Sequence, residues 1–125
     1  MKVLVVDDEQ DVQMLFEQKF RTERRTGEIE FHFAFSTEEA LLLLGKNGLA
    51  EFVLILSDIN MPGMNGIQLL KVIKEKHPEI KIFMITAYAD DDNYQSAMQN
   101  GAVGFLTKPL DFDDLKTQIK SLKTN

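Results

Sequence analysis

The chain has 125 residues, enough for one domain with its own core, and 44% of them are apolar against 27% charged. Its net charge is 14 − 20 = −6, which argues against the basic face that nucleic-acid binding requires and suits a site for a cation. It has no cysteine, which rules out disulfide and thiol chemistry, and no apolar run long enough for a signal peptide or a membrane span.

The expected elements alternate strand and helix from the start. Lys2 to Asp7 is almost all Val and Leu, the mark of a strand buried on both faces. Val12, Leu15, Phe16 and Phe20 then fall on one helical stripe. That first helix ends in a basic turn, Arg21, Arg24 and Arg25, with Gly27 as its stop. Ile29 to Phe35 alternates, with Ile29, Phe31, Phe33 and Phe35 on one face of a second strand. Ser36 caps the next helix with Glu39 three residues on, and the Leu41–Leu44 run continues it to Gly45 or Gly48.

Phe52 to Ser57 is a third buried run, closed by Asp58. Met61 to Gly66 has the residues of a tight loop. Ile67, Leu70 and Ile73, with Leu69 beside them, form a third helix that His77-Pro78 ends. Lys81 to Thr86 is the fourth strand. Asp90-Asp91-Asp92 opens a fourth helix whose stripe is Tyr94, Ala97 and Met98, ending at Gly101. Val103 to Leu106 is the fifth strand, Lys108-Pro109 a turn, and Phe112, Leu115, Ile119 and Leu122 the stripe of a fifth helix.

Five such units imply a parallel sheet, because parallel neighbours require crossover helices. The expected fold is α/β, a flavodoxin-like doubly wound five-stranded parallel sheet of order 2-1-3-4-5 with helices on both faces. Ligands bind such sheets beyond the carboxyl ends of the strands. Asp7, Asp8 and Glu9 close strand 1, Asp58 closes strand 3, Thr86 closes strand 4, and Lys108 follows strand 5. With strands 1 and 3 adjacent, Asp7, Asp8 and Asp58 converge. Three carboxylates repel one another unless a cation joins them, and an all-oxygen set suits Mg²⁺, with Mn²⁺ as an alternative.

A carboxylate can act as a nucleophile toward phosphorus. A metal, the Lys108 ammonium and the Thr86 hydroxyl would then cover the three oxygens of the phosphoryl group. Singly, each feature has an ordinary structural reading. Asp7-Asp8-Glu9 could open a helix, Asp58 could serve a turn, and Met61 and Met64 read as loop packing. His32 and His77 have no partner spacing. Two other functions stay open: a docking module on the same fold without phosphorylation, and an aspartate-nucleophile phosphatase.

Together, Val5-Val6-Asp7-Asp8-Glu9, Asp58-Ile59-Asn60-Met61-Pro62-Gly63-Met64-Asn65-Gly66, Thr86-Ala87 and Lys108-Pro109 resemble the receiver domain of two-component response regulators, CheY-like proteins. The resemblance covers essentially the whole chain and implies one receiver domain over residues 1–125. It implies that Asp58 is the phosphoacceptor, served by a sensor histidine kinase or a phosphotransfer protein. Asp8, Asp58 and the backbone carbonyl of Asn60 would bind the metal, and Asp7 would act through a water. Thr86, Ala87 and Lys108 would bind the phosphate, with a cis peptide between Lys108 and Pro109.

Thr86 and Phe105 would form the switch and bias the face of helix 4, strand 5 and helix 5. That face would control an output domain or downstream protein, and it is a candidate dimer contact. On this reading the chain is not an enzyme acting on a separate substrate, although it assists its own phosphorylation and dephosphorylation. It would be cytoplasmic, without direct contact to nucleic acid or membrane.

Two departures from the family pattern stand out. The stretch from Asp7 to Asp58 is longer than in compact members, with the excess expected around Phe20–Glu30 as a longer first helix. The first helix often meets the kinase in this family, so Arg21, Arg24 and Arg25 would tune kinase choice or simply form a solvated helix end. Asn60 and Tyr88 occupy positions that influence phosphate lifetime in receivers.

Overall fold

The computed structural model describes residues 1–47, 52–61, 63–88 and 90–122. Gly48 and Pro62, named above in the second helix and the tight loop, lie outside them. Five strands, β1 (Lys2–Val6), β2 (Glu30–Ala34), β3 (Phe52–Asp58), β4 (Lys81–Thr86) and β5 (Gly104–Thr107), form one sheet of order β2-β1-β3-β4-β5. All four pairings are parallel. Among the described residues, six helical segments connect or follow them: α1 (Asp11–Lys19), α2 (Arg21–Thr26), α3 (Thr37–Asn47), α4 (Gly66–Lys76), α5 (Asp91–Gln99) and α6 (Phe112–Ser121). The expected fourth and fifth helices are therefore α5 and α6.

The period-two alternation of the strands divides the core. Leu4, Val6, Ile55, Ile82 and Met84 pack against α3, α4 and α5. Val3, Val5, Leu54, Leu56 and Ile85 pack on the other face with Phe16, Phe20, Leu115 and Ile119. On that second face Phe16 stands edge-on to Phe112, its ring centroid 5.3 Å away, and lies 5.8 Å from the Phe20 ring. Such aromatic pairs add to the burial of their area.

Several expectations need correction. The expected first helix is two segments broken at Phe20, whose φ of −108° and ψ of 29° leave the helical region. Its buried ring is anchored under Phe16 and Phe31, and that anchor fixes the turn. Leu15, assigned to the buried stripe, is 44% exposed. In α5, which forms where expected, Ala97 is buried while Tyr94 and Met98 remain substantially exposed. Val103 lies outside β5 and is exposed, although its N–H still reaches Ile82 O at 2.9 Å. Strand 1 ends at Val6 and β2 is shorter at both ends than Ile29–Phe35.

The caps follow the sequence more closely. Gly27 closes α2 at φ 79°, where a side chain would be strained. Ser36 Oγ accepts from Glu39 N–H at 3.1 Å, while the Glu39 carboxylate reaches Phe35 N–H instead of the cap's own. Asn65 and Gln68 form a reciprocal capping box that starts α4 immediately after the loop from β3.

The α2 segment carries a carboxylate that the sequence did not mark. Glu23 is 5% exposed, and its two oxygens face Lys120 at 3.3 Å and Lys116 at 3.7 Å on α6. Burial alone would raise its pKa, but its backbone hydrogen bond and the two lysines hold the carboxyl below the ordinary glutamate range. A depressed folded-state pKa contributes stability at neutral pH that is lost as the pH falls through that range. The lysines are partly hydrated, so Glu23→Gln is expected to cost about 1 kcal/mol. Urea unfolding at neutral pH checks this, and the difference from the parent chain should close in acid.

Candidate functional site

Register brings the reactive residues together. Val6 pairs with Ser57, so Asp7 stands level with Asp58 at neighbouring strand ends. Asp58 pairs with Ile85, and Thr86 is the next residue. Thr86 pairs with Thr107, which places Lys108 one residue beyond β5. All four lie at the carboxyl edge of the sheet, at the crevice where the chain's strand order reverses.

Carboxylate oxygens of Asp7, Asp8 and Asp58 lie within 4.8 Å of one another. Asp7 and Asp58 are each 4% exposed, whereas Asp8 is open to solvent. Lys108 Nζ lies 3.0 Å from Asp7 Oδ2, 3.1 Å from Asp58 Oδ2 and 3.5 Å from Glu9 Oε1. The other Asp58 oxygen accepts the Asn60 backbone N–H at 3.1 Å. Asp7 Oδ1 accepts Glu9 N–H at 2.9 Å, which orients Asp7 at the start of the following turn.

Burial pushes the Asp58 carboxyl above the usual aspartate range, and the neighbouring Asp7 charge adds to the rise. The Asn60 N–H and Lys108 oppose it without cancelling it. For Lys108, burial alone would lower the pKa, but the hydrogen bonds and charges of Asp7 and Asp58 raise it above ordinary lysine. The site therefore holds a fixed cation against carboxylates that remain partly uncompensated. Its all-oxygen donors fit a hard divalent ion such as Mg²⁺.

The hydroxyl of Thr86, wholly buried, is engaged elsewhere. It donates to Tyr88 O at 3.1 Å and accepts from Tyr88 N–H at 3.0 Å and from Asn60 Nδ2 at 3.1 Å. Ala87 follows it at the mouth of the site, exposed and small. Phe105 is half-buried and meets the Tyr94 ring edge-on at 5.4 Å. The Lys108–Pro109 peptide is cis. A groove of about 730 Å³ runs from Asp7, Glu9 and Lys108 between α1 and α6, floored by Val5, Phe16 and Ile85.

Three contributors escaped the sequence reading. Glu9 was placed at the end of strand 1 but given no role, yet it lies 3.5 Å from Lys108 beside Asp7 and Asp58. The Asn60 side chain reaches the Thr86 hydroxyl, which only the folded register reveals. Gly66 packs against the Asp58 backbone so closely that an added Cβ would lie 2.1 Å from Asp58 O. Its place at the end of the Pro-Gly loop was the available signal for that approach.

The family model of the response regulator receiver domain matches residues 3–120. The chain is 36% identical over 110 residues to the response regulator protein FleR of Pseudomonas aeruginosa, covering 88% of this chain and 22% of FleR. It is 50% identical over 60 residues to the DNA-binding transcriptional regulator NtrC of Klebsiella pneumoniae, which is 48% of this chain and 13% of NtrC. The chain thus spans less than a quarter of either relative. The solved structure of response regulator protein TrrA from Thermotoga maritima, in complex with Mg²⁺-BeF, superposes with a TM-score of 0.78 at 31% identity, covering 97% of each chain.

Proposed function

The chain belongs to the response regulator receiver domain family, and from that premise we propose that Asp58 accepts a phosphoryl group from a phosphohistidine. The observation that carries this reading is the buried Asp58 carboxylate, bound to Lys108 at 3.1 Å beside Asp7 and Asp8. A carboxylate oxygen forms the new P–O bond while the donor's P–N bond breaks, its electron pair returning to the imidazole. Bound Mg²⁺, held by Asp8, Asp58 and the Asn60 carbonyl with Asp7 through a water, would neutralise phosphoryl oxygens. Lys108 provides a second, permanent positive charge at the same place. Burial of Asp58 limits water near the acyl phosphate.

The donor is a sensor histidine kinase or a phosphotransfer protein. Exposed Met14 and Leu15 on α1 and the groove beside Lys108 form the apolar approach it would use. The response is a shift of Thr86 toward the phosphate and of Phe105 inward, which repacks the face of α5, β5 and α6. Exposed Tyr94, Met98 and Val103 lie on or beside that face, where an output domain, a downstream protein or a second copy would dock. The domain is a signalling element and not an enzyme for a separate substrate. Among the described residues no helix is long and apolar enough to cross a membrane, and the cytoplasm is the compartment this reading assigns.

Incubation with acetyl phosphate and Mg²⁺ tests the proposal. The intact mass should rise by one phosphoryl group, and Asp58→Asn should abolish that adduct. An unchanged parent mass, or an adduct that persists in Asp58→Asn, would sink it. Stability supplies a second readout. The folded-state pKa of Asp58 is raised, so folded chains bind more protons than unfolded ones across that window and stability falls as pH rises through it. At neutral pH the charge destabilises, and Asp58→Asn should melt a few degrees higher than the parent without Mg²⁺.

A further inference from the structure

The hydroxyl of Thr86 has one proton and two lone pairs, and all three are used. Tyr88 O takes the proton, and Tyr88 N–H and Asn60 Nδ2 fill the lone pairs. Neither carboxylate oxygen of Asp58 is among its partners. Thr86 is wholly buried, so water cannot replace a bond it loses. Asn60 is exposed, so its amide is rehydrated easily when the bond opens. The same Asn60 donates its backbone N–H to Asp58 Oδ1 at 3.1 Å. One residue therefore contacts the acceptor carboxylate through its main chain and the switch hydroxyl through its side chain.

We infer that the Asn60 side-chain amide is a positioning residue that latches Thr86 in its resting place, so that the latch must open before Thr86 can turn to a phosphoryl oxygen at Asp58. This rests on the receiver reading above and deepens it. The latch acts on the resting equilibrium and not on the bond-making step. Its two ends are unequal: opening leaves a dry acceptor on Thr86 and a hydrated donor on Asn60. A phosphoryl oxygen cannot fill that lone pair, but it is a charged acceptor for the Thr86 proton now given to Tyr88 O, and this stronger bond would offset the open latch. Loss of a single neutral hydrogen bond changes such a population ratio about fivefold.

The test is amide NMR on the whole chain with beryllofluoride and Mg²⁺ as the phosphoryl mimic. Peaks of Thr86, Tyr88 and Phe105 should move on adding the mimic to the parent chain. In Asn60→Ala without the mimic, they should already lie part-way along the same line, reporting an activated-to-resting ratio about fivefold higher. A purely structural role would move them off that line. In a Thr86→Val background, which keeps the shape and removes the hydroxyl, Asn60→Ala should add no further displacement. Peaks of Asn60→Ala that remain at parental positions, or an equal displacement in the Thr86→Val background, would overturn the latch. A parent chain whose peaks ignore the mimic would overturn the receiver reading beneath it.

Discussion

Gly66→Ala is expected to lose about 3 kcal/mol of folding stability, and the fraction that folds should be phosphorylated poorly. The added Cβ would lie 2.1 Å from Asp58 O and 2.8 Å from Ile59 Cα. Both obstacles are backbone, so no rotamer change relieves them. Gly66 N–H is also tied to Ile59 O at 2.9 Å, which prevents a small local retreat. Either the start of α4 withdraws, opening the core under Ile67 and Leu70, or the end of β3 shifts and carries Asp58 away from Lys108.

Urea unfolding measures the stability, and the acetyl phosphate adduct measures the site. Gly45→Ala provides the contrast, since a Cβ there meets nothing within 4 Å. It lies inside α3, and alanine should stabilise it by up to about 1 kcal/mol. Equal stability of the parent and Gly66→Ala chains would show that the loop yields more easily than its contacts indicate.

The position of the site was legible in the sequence because strand ends are legible. Continuous runs such as Val3–Val6 and Phe52–Ser57 have one interpretation in a parallel sheet, and the residue after each run lands on the same edge. Asp7, Asp58, Thr86 and Lys108 were found by that rule alone. Phe20 was harder, because the break between α1 and α2 comes from its ring packing against β2 and α6 and not from a local breaker. Glu23 was invisible for the same reason: its partners Lys116 and Lys120 come from the far end of the chain. The spacing of Tyr94 and Met98 was helical, but periodicity does not reveal whether a neighbour covers the stripe. No local pattern announces the Asn60 bond to Thr86, since it depends on two strand ends meeting at a side chain's length.

Lys108→Met should separate metal affinity from phosphorylation. The ammonium now lies about equally close to Asp7 and Asp58 and near Glu9. Its raised pKa keeps it charged throughout the range in which the carboxylates titrate. It therefore competes with any cation for the same oxygens, and removing it should tighten Mg²⁺ binding by about tenfold, or 1.4 kcal/mol, with the interaction screened at the open Asp8 side. Without Mg²⁺ the variant should be less stable at neutral pH by about 2 kcal/mol, because two buried carboxylates lose their counter-ion.

The sign of its pH dependence follows from Asp58. Loss of Lys108 removes a lowering influence and raises the Asp58 carboxyl further. The folded variant then holds its proton to higher pH than the unfolded chain, and stability should recover as the pH is lowered through that window. Phosphorylation by acetyl phosphate should nevertheless slow by at least about tenfold, because the cation that would neutralise a phosphoryl oxygen is gone. Calorimetric Mg²⁺ titration and timed intact-mass measurements give the two numbers side by side. If the variant bound Mg²⁺ less tightly than the parent, Lys108 would be organising the carboxylates instead of competing for them. The three aspartates would then depend on it for their geometry.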